Sequence, residues 1–566
     1  MHAQPLPVSS LPLNPLLAKP FAGDGDPDLA SPSHDVPESI EGMEARCRKE
    51  LDLILDCLRV AARDRLPALK FEPMLWTRLL GLGRLLFVLW LGLVEAEVMR
   101  RLPGRWFRGS QPFERRGGQS RELGTMFGKV SYRRSYAYCD EAERGYYPTD
   151  EALGLTADGF TLSAISQACR LATRMSYEAA TTVLGWFWNW APATRTMQEL
   201  TMGLGGHAHR FQERAAPPST DEGDVLVIQF DSKGIPTATE SELVARRGPR
   251  PIGRPPESSR RHRARDKRRQ RGPATRRDSG DHSKNARMAT LAVMYTLAQD
   301  PNSREPRLLG PRNVRTYASF SPKRYAFQVA RREAEKRGFG PTSGRRIQFV
   351  YDGDEDLETY REQYFGDYPS ENVVVTADIM HVLEYLWAAA AVLFPEHDGS
   401  RSRWVSDQKA HLLASEAELV RAELRARLGA ISRTGPGTKA KREQLESTLR
   451  YLTNNAHRLD YKLVRAADLE LASGMVEGAV RNLIGLRFDQ GGMRWIAERA
   501  EALLQLRCIE LNGQWDDFIS WVHHAFTARD PSASHRLRSR KPPPLPTLLP
   551  PHLAVAHASA AKQWKS

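Results

Sequence analysis

Two mainly apolar runs in this chain each stop on an aspartate: Val225-Leu-Val-Ile-Gln-Phe-Asp231 and Ile347-Gln-Phe-Val-Tyr-Asp352. Runs of this length, rich in β-branched and aromatic residues and without polar alternation, fit strands covered on both faces of a sheet. An aspartate just past such a strand is held at the rim of the sheet by rigid backbone, where it can hold a cation without being buried itself. A third carboxylate, Glu477, lies in a helix-like segment, Gly474-Met-Val-Glu477-Gly-Ala-Val-Arg481. The three are 121 and 125 positions apart, so only a fold that returns distant elements to one sheet edge can join them. Each also has a plainer reading, because an Asp after a strand commonly forms a turn or caps a helix. Asp354, Glu355 and Asp356 leave the second choice open, with Asp352-Gly353 preferred because it directly follows the apolar run.

Charge narrows the partners. The 566 residues carry a formal net charge of +14, which favours a polyanion, nucleic acid before membrane. Most of it sits in one stretch, 246–287, with 16 Lys/Arg against 4 Asp/Glu. The five cysteines (Cys47, Cys57, Cys139, Cys169, Cys508) form no C-x-x-C pair, which argues against a disulfide framework or a cysteine zinc site and fits a reducing cytosol. No secretory signal pattern opens the sequence. The most apolar run, Leu85 to Val94, is about half the ~20 residues of a membrane-spanning helix, so a buried helix is expected there and no membrane partner.

Composition and periodicity divide the chain. Residues 1–40 read as a disordered arm and 530–566 as a disordered tail. Helical spacing over 41–102, with a break around Pro67 and Pro73, predicts two or three helices; 103–150 predicts a small β hairpin. Within 151–211, Ser176-Tyr-Glu-Ala-Ala180 and Pro192-Ala-Thr194-Arg-Thr196 open two short helices, the outline of a helix-turn-helix that would present Thr194, Arg195 and Gln198 to a DNA groove. An ordinary helical hairpin with Trp186, Phe187, Trp188 and Trp190 as core fits equally well. Strand-like runs at 225–230, 288–297, 347–351 and 373–376 make 224–381 α/β, followed by helical pattern to about Leu469 and again from Ser473 to Leu511.

Three carboxylates at a sheet edge suit phosphodiester chemistry, in which two Mg²⁺ ions about 4 Å apart serve both ends of an in-line displacement. Magnesium is a hard, oxygen-seeking ion that keeps several waters, so two or three carboxylates suffice; Asp231 is the natural bridging ligand, with Asp352 and Glu477 flanking.

Several blocks in order resemble bacterial insertion-sequence transposases of the ISKra type, in the DDE group related to Mutator-like elements. They are Phe230-Asp231-Ser-Lys-Gly234-Ile-Pro236, Arg287-Met-Ala-Thr-Leu-Ala-Val-Met-Tyr295-Thr, Tyr351-Asp352-Gly353, Ala377-Asp378-Ile-Met-His381-Val-Leu-Glu-Tyr385-Leu-Trp387, Gly474-Met-Val-Glu477-Gly-Ala-Val-Arg481 and Gly492-Met-Arg-Trp495, spanning roughly 225 to 515. The resemblance implies an α/β, RNase H-like mixed sheet (224–381 and 470–515) with an all-α insertion (382–469), preceded by a mainly helical N-terminal region. It implies a Mg²⁺-dependent DNA strand transferase, with Mn²⁺ as a substitute ion, acting on double-stranded DNA as a homodimer or larger synaptic complex in the cytoplasm at the nucleoid. Asp231, Asp352 and Glu477 match the catalytic and metal-binding triad. Asp378 and His381 match a supporting D-x-x-H element, for which helix capping is the plainer alternative. Arg481 could reach the scissile phosphate or pair with Glu477.

The chain departs from the family at Cys139-Asp-Glu-Ala, which keeps one cysteine of a pair common there. The long basic stretch, including Arg260, Arg261, Arg263, Arg265, Lys267, Arg268, Arg269 and Arg271, is expected to bind phosphates without reading sequence, or else to be a solvated loop. Trp387 and Trp404 could stack on an exposed base, though core packing is the commoner role of aromatics at helical spacing. Two rivals remain: a nuclease of the same fold that cuts without joining, and a non-catalytic DNA-binding protein descended from a transposase.

Overall fold

The computed structural model describes residues 39–217, 221–247, 286–397, 399–489, 493–527 and 537–541. The expected arm (1–40) and tail (530–566) therefore fall almost wholly outside the described residues, as do positions 248–285 of the basic stretch. The chain divides into two compact units, Met1–Gly203 with Ile519–Arg540, and Leu204–Phe518 with Lys541–Ser566.

The first unit opens with two helices, α1 (Ile40–Arg63) and α2 (Ala68–Arg101). Ser39 starts α1 by accepting a hydrogen bond from the Gly42 N–H (3.1 Å). The break expected at the prolines occurs only at Pro67; Pro73 lies inside α2. So near the start of a long helix, proline's missing N–H removes a single backbone bond, and the packing of the remaining turns outweighs it. The buried helix expected around Leu85–Val94 is also corrected. That run is the middle of a 34-residue helix in which Leu86, Trp90 and Leu93 are exposed, because only one face of α2 packs on the rest of its unit. By length and composition it is the one helix among the described residues that is long and apolar enough to cross a membrane.

Where a hairpin was expected, four antiparallel strands form a sheet in sequence order: β1 (Arg105–Arg108), β2 (Gln111–Thr125), β3 (Gly128–Cys139) and β4 (Arg144–Tyr146). The hairpin is the central pair, in which Thr125 pairs with Gly128 across Met126-Phe127. The outer strands have 4 and 3 residues, too few for a periodic signal. Asp150 accepts a hydrogen bond from Tyr132 and pairs with Arg121 and Arg134, which satisfies its buried carboxylate. After a short helix at Pro148–Ala152 come three longer ones, α3 (Leu162–Arg174), α4 (Tyr177–Trp188) and α5 (Thr194–Gly205), with Thr161 and Ser176 capping the first two.

The second unit is mixed α/β. Its sheet has five strands, β5 (Val225–Pro236), β6 (Ala286–Gln299), β7 (Leu308–Ser319), β8 (Arg346–Tyr351) and β9 (Val373–Ala377), in the order β7-β6-β5-β8-β9. Strands β5, β6 and β7 are antiparallel neighbours; β8 and β9 run parallel to β5. β7 has no counterpart in the strand-like runs of the sequence, because it carries Gly310, Pro311 and Asn313 and is buried only over its last four residues.

Leu226, Ile228 and Phe230 of β5 and Ile347, Phe349 and Tyr351 of β8 share one core with α6 (Arg324–Lys336) and α7 (Glu355–Phe365), where Phe230 stacks on Phe327 at 4.0 Å. The acidic triplet after Asp352 is explained by α7. Asp354 caps it by accepting from the Asp356 N–H (2.9 Å), and Glu355 and Asp356 lie in its first turn, where the helix dipole favours them. Helices α8 (Ile379–Leu393), α9 (Ser400–Leu413), α10 (Ala417–Ala430), α11 (Thr438–Asn454) and α12 (Tyr461–Ala466) form a separate core around Leu386, Val405, Leu424, Leu445 and Leu452. The chain then returns to the sheet through α13 (Gly474–Ala479), a π-helical turn (Val480–Gly485) and α14 (Ala497–Leu511).

Candidate active site

The β5–β8 pairing stops at Gln229 and Val350, and Asp231 and Asp352 each lie two residues beyond it. Asp352 follows the end of β8 as expected, but Asp231 does not end its strand: β5 runs on to Pro236 with Asp231 paired to Leu291, because β6 carries the ladder past the point where β8 stops. Neighbouring strands run about 4.8 Å apart, so the two carboxylates emerge side by side at the same end of the sheet. Both are only partly exposed. Burial first, and then the negative charges of Asp352 and Glu477, raise the Asp231 carboxyl to about 6, against a hydrogen bond from the Ser232 N–H (2.6 Å) and the nearby His381. Asp352 is also raised, again by burial first, opposed by the Asp354 N–H, His381 and Lys323. Thus residues more than 120 positions apart act on one another's charge. Among the described residues no Lys or Arg forms an ion pair with Asp231, and no group of three His, Cys, Asp or Glu side chains is gathered as a cluster for one ion. The donor set, all carboxylate oxygen around a half-buried and unneutralised Asp231, fits a hard divalent cation.

Glu477 is brought to this edge by polar tethers. Gln229 is fully buried inside β5. Its Nε2 donates to Tyr295 Oη (3.0 Å) and the Ala472 carbonyl (3.2 Å), and its Oε1 accepts from the Val476 N–H (3.0 Å). Gln348 in β8 does the same one step earlier, donating to the Glu470 carbonyl (2.7 Å) and Thr376 Oγ1 (3.0 Å) and accepting from the Glu470 N–H (3.0 Å). Asp378 caps α8 through the Met380 N–H (2.8 Å) while accepting from Ser473 Oγ. It therefore serves as a cap and also as an anchor for the segment leading to Glu477. Beyond Glu477, Arg507 donates to the carbonyls of Leu483 (2.7 Å) and Asn482 within the π-helical turn. Neither glutamine nor Arg507 was marked by the sequence motifs; a polar residue inside an otherwise apolar strand is the one signal that could have found Gln229 and Gln348.

His381 stands beside Asp352, edge-on to Tyr385 and Tyr451 (5.4 and 5.7 Å), which stack on each other at 4.0 Å. Its Nδ1 is 3.4 Å from Glu384. Burial and then the Asp352 charge raise both tyrosines. Gly353 lets this wall close: a Cβ there would lie 2.5 Å from Tyr451 Cε2 and 2.5 Å from Asn455 Nδ2. Neither neighbour can yield cheaply, since Tyr451 is stacked and Asn455 is buried and donates to the Tyr451 carbonyl. Gly353→Ala is expected to cost about 1–3 kcal/mol in urea unfolding through overpacking. A loss below a few tenths of a kcal/mol means that the wall is loose.

Glu477 and Arg481 are exposed, and among the described residues no ion pair joins them, which leaves the Arg481 guanidinium available to an incoming phosphate. In the first unit Thr194 and Arg195 are exposed at the start of α5 and Gln198 is half-buried. Arg195 donates to Glu199 (3.2 Å), and Met197 and Leu200 face inward. Of the four aromatics near α4, Trp188 is buried and Trp190 stacks on Phe160, whereas Trp186 and Phe187 are exposed; the expectation of a core role fails for those two. Trp404 is core and Trp387 is exposed. Arg260, Arg261, Arg263, Arg265, Lys267, Arg268, Arg269 and Arg271 lie outside the described residues. The sequence matches no protein-family model and no curated protein.

Proposed function

We propose that the second unit is an RNase H-like catalytic domain and that the chain is a DDE-type DNA transposase. The observation that carries this reading is the convergence at Asp231: a half-buried carboxyl on the central strand, next to the parallel strand that leads into Asp352, and raised by burial first and then by the charges of Asp352 and Glu477. The strand order β7-β6-β5-β8-β9, in which three antiparallel strands are extended by two parallel ones, supports the finer fold assignment. The helical block between β9 and Glu477 supports an all-α insertion.

In this proposal Asp231, Asp352 and Glu477 hold two Mg²⁺ ions, or Mn²⁺ in their place, which supply the charge that an in-line phosphoryl transfer needs. Asp231 must give up its proton to serve, and its raised value makes that the pH-sensitive requirement. His381 lines the site beside the two aspartates, and Arg481 is free to hold the phosphate that is cut. Asp378 and the two glutamines orient the Glu477 segment, and the basic stretch and α5 bind duplex DNA. Hydrolysis would release a 3′-hydroxyl at the element's end, which then attacks target DNA. Two ends must be held together, so the working form is a homodimer or larger complex, acting in the cytoplasm on the nucleoid.

The test supplies pre-cut element ends, a target plasmid and Mg²⁺. Joined product is expected from the native chain and none from Glu477→Gln. Cleavage of uncut ends without joining would instead indicate a nuclease of the same fold. Calorimetry with no Mn²⁺ uptake that depends on Asp231 would leave only a DNA-binding role.

A further inference from the structure

In its middle, helix α2 turns charged side chains inward and apolar ones outward. Arg78 pairs with Glu50 of α1 (3.3 Å), and Glu95 accepts from the Ser135 N–H (2.8 Å) and from Thr149 Oγ1, whereas the exposed charges Lys70, Glu72, Arg100 and Arg101 lie towards its two ends. The exposed large apolar residues are Leu69, Trp76, Leu79, Leu86, Trp90 and Leu93, between 44% and 86% exposed. Their spacing is a heptad. Counting Leu69 as a, the a positions are Leu69, Trp76, Gly83 and Trp90, and the d positions are Glu72, Leu79, Leu86 and Leu93. Phe127 packs against Gly83, where a Cβ would lie 2.5 Å from its ring, so this half-exposed ring stands at the seam's one small a position. Glu72 interrupts the first d position, so the apolar 3.5-residue repeat is continuous from Trp76 to Leu93, which is the geometry of a helix seating on another helix.

We infer that this seam is the interface with a second copy of the chain, formed by α2 against α2. A seam of this type is complementary to itself, so a two-fold pair satisfies both copies at once. The six exposed side chains present roughly 700 Å², so a pair would cover about 1,400 Å², within the ~1,200–2,000 Å² of stable interfaces. A bilayer is the weaker occupant. α1 runs alongside the same length of α2, with Met43 near Gly92 and Glu50 at Arg78, and it exposes Arg48, Lys49, Asp52, Asp56 and Arg59. Immersing α2 would drag these charges into hydrocarbon, at about 2.5–3.5 kcal/mol for each Asp, Lys or Arg even on the most lenient scale.

Light scattering of the full chain at about 10 µM, in detergent-free buffer with enough salt to strip nucleic acid, tests this. The expected mass is twice the 63.7 kDa of one chain. Leu79→Glu with Leu86→Glu should give single chains with an unchanged far-UV spectrum. Should that pair of changes prevent folding, Leu79→Ala with Leu86→Ala should weaken dimerisation about tenfold or more, whereas Arg48→Glu should leave it unchanged. A native chain of single mass, alanine variants that pair as tightly as the native chain, or flotation with phosphatidylcholine vesicles that the alanine changes abolish would each overturn the inference. None of these readouts involves phosphodiester chemistry, so its failure leaves the proposal for Asp231 untouched, and the reverse holds too.

Discussion

Asp231→Asn is expected to lower metal-dependent strand cleavage about 10³-fold or more, a barrier rise of about 4 kcal/mol, while making the metal-free protein harder to unfold at neutral pH. The first effect follows from removing the central anionic oxygens of the site. The second follows from linkage. Asp231 has a folded value of about 6 against 3.8 in the unfolded chain. Because the folded value is the higher one, its contribution to stability is fully present only below the unfolded value and is lost as pH rises through about 6. At pH 8 the ionised carboxylate therefore opposes folding by an amount on the order of 1–3 kcal/mol. Asparagine is isosteric and uncharged, so the variant lacks this pH-dependent fall. Urea unfolding with a chelator present should find variant and native chain close together near pH 4 and the variant more stable at pH 8. Bound divalent metal should reverse the order, since only the native chain gains from it, and that gain should fade below pH 6 as Asp231 takes up a proton. Native-like cleavage by the variant, or lower stability at pH 8 without metal, would remove Asp231 from the centre of the site.

What was legible in the sequence is the part written in local pattern. The apolar run before Asp352 places that residue at a strand end, because a β-rich run bounded by a turn residue needs no knowledge of its neighbours; the run before Asp231 marks the strand but not its end, since β6 pairs with β5 as far as Pro236. Helical spacing likewise marks the block between β9 and α13. The strand β7 escaped because its first half is exposed and holds Gly310 and Pro311, so its membership is decided by β6 beside it. Pro73 looked like a helix stop because the rule is local, while the packing that carries α2 past it is tertiary. Leu85–Val94 looked buried because apolar composition does not say which way a helix faces. The acidic triplet at Asp354–Asp356 was ambiguous for a related reason. Ligand and helix cap use the same residue types, and only the onset of α7 separates them.

Glu477 is the extreme case, since nothing near it in sequence says which surface it meets. Gln229 decides that, and Gln229→Leu is expected to be the most damaging change outside the carboxylates themselves. Leucine keeps the volume but strands the Val476 N–H and the Ala472 carbonyl, whose partner atoms are now 3.0 and 3.2 Å away, and takes one of two partners from Tyr295 Oη, which keeps its bond to Glu470. Each buried group left unpaired costs about 1–3 kcal/mol, and partial relaxation of the segment brings the total to about 2–5 kcal/mol. The loss should be local before it is global, because the tethered segment around 470–477 can lift away while the strands stay paired. Hydrogen exchange should speed up at Val476 and Glu477 well before it does in β5, and cleavage should fall by about 10²-fold or more as Glu477 drifts from Asp231. Gln229→Glu separates tether from charge. It keeps an acceptor for Val476 but loses the donors and adds a carboxylate two residues before Asp231 on the same face of β5. Its defect should therefore deepen from pH 5 to pH 8, whereas that of Gln229→Leu should not change with pH. Full cleavage with native exchange at Val476 in the leucine variant would mean that Glu477 reaches the site by some other restraint.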